Sequence, residues 1–177
     1  ISGFSKASSM LDYFVGDASG KTYSDLDLFS TYMAYYTYLI NPISSTDTTH
    51  YNHVLPYYGE LQKKSITSTG GMGETDISFG GNYKDKVFIG GSIGIVNVKY
   101  NEESNYQEID QQDTINNFKS FSYNQSLTTT GTGYNLKLGV IIKPIDWLNI
   151  GAAIHTPTEI KLRDVYSSNM TSYLDNS

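Results

Sequence analysis

Cysteine is absent from the sequence. That one absence removes a disulfide framework, a thiolate zinc centre, an iron–sulfur cluster and a cysteine nucleophile. Positive charge is scarce: 12 Lys and Arg stand against 18 Asp and Glu over 177 residues, a net charge of −6. Such a chain has no reserve of cations for a phosphate backbone, so no nucleic-acid partner is expected. Long apolar runs are also missing. The longest, Val87 to Val98, is broken by glycines and falls short of the roughly 18 residues a spanning helix needs. Crossing a membrane by helices is excluded, while crossing by strands is not. Proline is rare, at 4 residues, and no collagen period or disordered-tail composition is present. The chain opens at Ile1 without a basic or apolar leader, so an export signal is expected to be removed or to lie outside a chain cut from something longer.

What is abundant is aromatic and small: 16 Tyr, 7 Phe and 16 Gly. In the first 43 residues the apolar side chains recur at three and four. Ser8 or Ser9 is placed to cap a short helix carrying Met10, Leu11, Phe14 and Val15 that ends near Gly16. A second helix is expected from Asp25 or Asp27 to Asn41-Pro42, with Leu28, Phe29, Tyr32, Met33, Tyr36, Leu39 and Ile40 on a broad face. Residues 44–60 are polar and turn-rich and read as a loop.

From Leu61 the period drops to two. Ile77, Phe79 and Tyr83 share one face of a strand and Asp76, Ser78 and Asn82 the other. The step Lys84-Asp85-Lys86 turns the chain into Val87, Ile89, Ile93 and Ile95, completing a hairpin. The acidic segment from Asn101 to Asn117 reads as a long exposed loop. A strand from about Phe118 to Ile142 follows, then a turn at Lys143-Pro144-Ile145-Asp146 and a partner strand through Leu148, Ile150, Ala152 and Ile154 toward Tyr166. The organisation expected is therefore a helix-containing loop segment over 1–60 and strands over 61–177, in two hairpins joined by the acidic loop at 101–117.

A soluble sandwich also alternates, so strand length, wet-face chemistry and loop asymmetry must decide. The strands exceed the usual length of about 5 to 6 residues, the non-apolar faces are polar, and short turns at one end contrast with long connections at the other. Those are the features of an outer-membrane barrel, with Tyr83, Phe88, Tyr100, Tyr134, Trp147 and Tyr166 suited to interfacial girdles. The expected fold is all-β: part of an antiparallel transmembrane β-barrel, about four long strands, with a helical loop segment at its N-terminal end. Four strands cannot close such a sheet.

The pieces ETDISFGGNYKDKVFIGGSIGI and TGYNLKLGVIIKPIDWLNIGAAIHTPT, preceded by LDLFSTYMAYYTYLINP, resemble FadL/TodX-type outer-membrane transporters of hydrophobic compounds. The similarity is closest to Bacteroidetes-type versions, some of which carry the label hemin receptor. It covers roughly Ser8 to Tyr166, with Asn135 to Thr158 the most specific part. The resemblance implies a fourteen-stranded barrel plugged by a hatch, residence in the outer membrane of a Gram-negative bacterium among its lipids, and passive uptake of a hydrophobic small molecule such as a long-chain fatty acid or aromatic hydrocarbon. It also implies that the helical segment is a large extracellular loop forming a capture groove, with the acidic segment as its neighbour. The hatch lies outside this sequence. Leu28, Phe29, Tyr32, Met33 and Tyr36 are then candidates for ligand capture, and Asn135, Lys137, Asn149 and His155 for the wet lining of the lumen.

Catalysis is not expected. Gly90-Gly91-Ser92-Ile93-Gly94 matches a nucleophile-elbow pattern, which needs a strand-to-helix turn where the sequence continues as strand. His50 and His53 have metal-ligand spacing but sit in a Ser/Thr-rich loop, and the run Glu102 to Asp113 lacks the central Gly of a calcium loop. No metal and no cofactor are expected; with a heme ligand, His50, His53, His155 and the tyrosines would be the only axial candidates. The alternative to a transporter is a soluble or surface-anchored β-sheet binding module, an adhesin or glycan-binding domain.

Overall fold

The computed structural model describes residues 1–175. Most of them form antiparallel sheet. The elements are β1 (Ser2–Phe4), α1 (Met10–Ala18), α2 (Thr31–Tyr36), β2 (Ile40–Pro42), β3 (Tyr51–His53), β4 (Leu61–Tyr83), β5 (Val87–Ile109), β6 (Ser120–Ile145), β7 (Leu148–His155) and β8 (Glu159–Tyr173). A single turn of 3₁₀-helix, Tyr23–Asp25, precedes α2. In the main sheet the order is β1-β4-β5-β6-β7, with β8 also paired to β6, and β2 and β3 form a separate two-stranded sheet.

The α1 helix forms where its cap and apolar spacing place it. Ser9 accepts from the Leu11 amide at 3.0 Å, and Asp12 reaches back to the Ser9 amide at 2.8 Å. This is a reciprocal capping box. Leu11, Phe14 and Ala18 then lie buried on one stripe. The second helix is much shorter than its apolar spacing predicts. Only Thr31–Tyr36 is α-helical, because Tyr38 adopts φ 60°. That conformation lets Tyr38 N–H donate to Tyr35 O at 3.0 Å and Leu39 N–H to Ala34 O at 2.9 Å, the paired bonds of a Schellman stop with a tyrosine in the place glycine usually takes. The segment 44–60, expected as unbroken loop, contains β3, paired antiparallel with β2 through Ile40↔His53 and Pro42↔Tyr51.

β4 and β5 are joined by a two-residue turn. Lys84 and Asp85 both take positive φ, and Lys86 N–H donates to Tyr83 O at 3.1 Å, the primed geometry that matches strand twist. The acidic segment is corrected: β5 runs on to Ile109, so only 110–119 connects it to β6. The turn after β6 also moves. Ile145 pairs with Leu148 across Asp146-Trp147, and a register shift between Ile142 and Ile145 absorbs Pro144.

The chain divides into two compact units. The first holds Ile1–Ser68, Glu102–Leu127 and the chain from Tyr166; the second holds Thr69–Asn101 and Thr128–Val165. The first unit owns a true core, in which Leu11, Phe14, Leu39, Ile40, Phe118 and Phe121 are almost wholly buried. In the second unit, among the described residues, the only buried apolar side chain is Val96.

Candidate functional site

Strand alternation gives the second unit two opposite faces of different chemistry. One is apolar and bare. Leu138 pairs with Ile154, Val140 with Ala152 and Ile142 with Ile150. Across the neighbouring strands the row continues at Gly91, where an added Cβ would lie 2.9 Å from the Phe79 ring and 3.0 Å from Leu138. Glycine there lets two large side chains from strands on either side of β5 close over it. Ile77, Phe79, Ile89, Leu136, Leu138, Ile150 and Ile154 are all exposed, from 49% at Leu136 to 69% at Ile154.

The other face carries an ion network. Lys137 Nζ lies 2.8 Å from both Glu74 Oε1 and Asp76 Oδ1. Ser92 Oγ donates to Asp76 at 2.9 Å, and Asn135 Nδ2 donates to Glu74 at 2.8 Å and to Thr158 Oγ1 at 3.1 Å. Gly94 sits beneath this cluster, where a Cβ would collide with Glu74 Oε1 and Asn135 Oδ1. Ser92 therefore lies in mid-strand on an acidic partner and not at a nucleophile elbow. His155 is opposite Lys137 in the register. Asn149 is exposed on the neighbouring strand. The second unit also contains an open cavity of about 1120 Å³ lined by Gly80, Gly90, Lys137, Ile141, Ala153 and His155 among others.

The five expected capture residues do not form one helix face. Leu28 and Phe29 precede α2 in a turn, Tyr32 and Met33 pack against the core, and Tyr36 is exposed with its ring stacked on Tyr32 at 6.3 Å. Phe29 lines a cleft of about 560 Å³ in the first unit.

Sequence reasoning missed a buried acidic centre in the first unit. Glu108 is fully buried near the end of β5, with Oε2 accepting from Ser9 Oγ at 2.6 Å and Oε1 from the Met10 amide at 2.7 Å and Tyr106 Oη at 2.6 Å. Gln62 Nε2 donates both to Glu60 at 2.9 Å and to Glu108 at 3.3 Å. The carboxylate thus sits on the N-terminus of α1, where free amides and the helix dipole favour negative charge. Burial nevertheless pushes the Glu108 carboxyl up from its ordinary range, against the hydrogen bonds from Ser9, Tyr106 and Met10 that pull it down.

The two loop histidines part company. His50 Nδ1 pairs with Asp47 at 2.9 Å and His53 Nε2 with Asp12 at 3.2 Å. Among the described residues no group of three His, Asp or Glu is placed to hold a metal ion, and no helix is long and apolar enough to cross a membrane. Set against known proteins, the chain matches no protein-family model and no curated protein.

Proposed function

We propose that the second unit lies in a lipid bilayer as part of an outer-membrane β-barrel, and that the protein passes hydrophobic molecules inward by diffusion. The observation that carries this reading is the missing core. A sheet whose large apolar side chains stay bare on one face forgoes stabilisation on the order of 10 kcal/mol, given about 1.5–3 kcal/mol per fully buried side chain. Acyl chains supply that burial without a second protein layer. The opposite face, with Lys137 between two carboxylates and a glycine floor, suits a wet lumen.

Strand length fits the same geometry. β4 and β5 each have 23 residues and rise roughly 75 Å at about 3.3 Å per residue, far beyond an apolar band about 25 Å tall even at a barrel tilt. The bilayer segment is therefore assigned to the second unit, and the cored first unit, with Glu108, stands in water.

The lumen chemistry favours neutral cargo over fatty acids. Lys137 is engaged by Glu74 and Asp76 together, so the cluster is net negative and repels a carboxylate headgroup. Burying each CH₂ contributes about 0.8 kcal/mol, enough to draw an uncharged aromatic or aliphatic hydrocarbon without a catalytic group. The test has two readings. The full-length protein should stay with outer membranes through carbonate washing, and cells carrying it should take up radiolabelled toluene faster than cells lacking it, with a smaller gain for oleate. Recovery as a soluble monomer, or uptake unaltered by the protein, removes the proposal.

A further inference from the structure

The cleft of about 560 Å³ in the first unit differs in kind from the apolar sheet. Its rim is aromatic. Tyr13, Phe29 and Tyr166 are 65%, 48% and 40% exposed, so their rings meet solvent although large rings are normally covered. Phe29 and Tyr166 meet edge to face at 5.2 Å, and beneath them Phe14 and Tyr123 meet edge to face at 5.7 Å. Perpendicular pairs of this sort offer ring faces in two directions around one space.

The rings are held in place by hydrogen bonds. Tyr123 Oη donates to Phe29 O at 2.7 Å and accepts from Gln125 Nε2 at 2.9 Å, and the same amide nitrogen also donates to Tyr166 Oη. The acidic residues on the cleft are Asp17 and Asp27. Lys21 neutralises Asp17 at 3.1 Å. Asp27 accepts from the Phe29 amide at 2.8 Å and from Ser30 Oγ at 3.0 Å, both uncharged donors. One formal negative charge therefore remains beside a cage of rings.

We infer that this cleft binds an organic cation, an alkylammonium or quaternary ammonium group. The negative ring faces attract such a cation, and its apolar methyl groups lose little on leaving water, whereas a neutral hydrocarbon gains nothing from Asp27 and an anion is repelled by it. The site is independent of the transport reading, since every residue in it belongs to the first unit. Saccharides and neutral hydrocarbons are the competing ligands that the experiment must separate.

The probe is choline chloride, titrated calorimetrically into the full-length protein and compared with 3,3-dimethylbutan-1-ol, its uncharged isostere. Choline is expected to bind roughly tenfold more tightly than the isostere, as cation–π attraction of this size provides. Tyr13→Leu alters an exposed ring outside the buried core and should weaken choline several-fold; Tyr166→Leu should do the same, with near-ultraviolet circular dichroism confirming the fold. Glucose and toluene should not compete. Equal binding of the isostere, no heat with choline, displacement by glucose or toluene, or choline binding indifferent to both variants would each overturn the assignment.

Discussion

Replacing Glu108 by alanine should loosen α1 more than any other single change to a polar side chain in the first unit. The side chain is fully buried and accepts from Ser9 Oγ, the Met10 amide, Tyr106 Oη and Gln62 Nε2. Alanine orphans the first three of these donors, while Gln62 keeps Glu60 and Ser8 O as acceptors. Ser9 and Tyr106 are themselves 7% and 9% exposed, so water reaches them poorly, and at about 1–3 kcal/mol per stranded donor the net cost after relief of the buried charge is about 3 kcal/mol. That corresponds to roughly a hundredfold rise in local opening. Amide hydrogen exchange at Leu11 to Val15, followed at neutral pH, reads it directly. Glu108→Gln keeps one acceptor oxygen and should cost about 1 kcal/mol. The pH dependence has a definite sign. Because the folded carboxyl titrates above its ordinary value of about 4.3, the folded unit holds an extra proton in that window; its contribution is complete below that value and is lost as pH rises through the raised one. In Glu108→Gln this slope should vanish. A loss of protection under threefold in Glu108→Ala, or an unchanged pH slope in Glu108→Gln, refutes the reasoning.

Tyr38 is 68% exposed at φ 60°, so Tyr38→Gly removes a left-handed penalty and should stabilise the first unit by up to about 1 kcal/mol in denaturant titration. Lys137→Met leaves Glu74 and Asp76 side by side without their shared cation; unfolding from detergent should show a lowered midpoint, restored in part by adding Asp76→Asn. Leu138→Lys puts a charge on the bare apolar face and should cost about 2–4 kcal/mol in lipid vesicles, measured by reversible folding. A change under about 0.5 kcal/mol, the usual effect of a surface substitution in water, goes against the membrane assignment.

The sheet was legible because its signal is local. Tyr134, Leu136, Leu138, Val140 and Ile142 announce one face by simple parity, and Ser8 or Ser9 ahead of Met10, Leu11, Phe14 and Val15 announces a helix start, with Ser9 the cap in the fold. The second helix was misread because the spacing of Leu28, Phe29, Tyr32, Met33, Leu39 and Ile40 runs across a turn, a short helix and a strand, of which Tyr32, Met33, Leu39 and Ile40 meet the core while Leu28 and Phe29 stay exposed, and a tyrosine gives no warning of a left-handed stop. The acidic centre was misread because Glu108 looks solvated by composition. Only the continuation of β5 to Ile109 carries it under Ser9, a contact across 99 positions of sequence that no local pattern encodes. The ion network was half visible: Lys137 and Asn135 were placed on the wet face by parity, but their partners Glu74 and Asp76 lie two strands away.

The central claim is that alternate residues of the second unit meet lipid. Single nitroxide labels at positions 134 to 142 of the protein in outer-membrane vesicles, read for collision with oxygen and with a water-soluble nickel chelate, test it most directly. The account predicts a period of two, with oxygen favoured at 134, 136, 138, 140 and 142 and nickel favoured at 135, 137 and 139. Nickel access at every position, or protection of the even positions from oxygen and nickel alike, contradicts it.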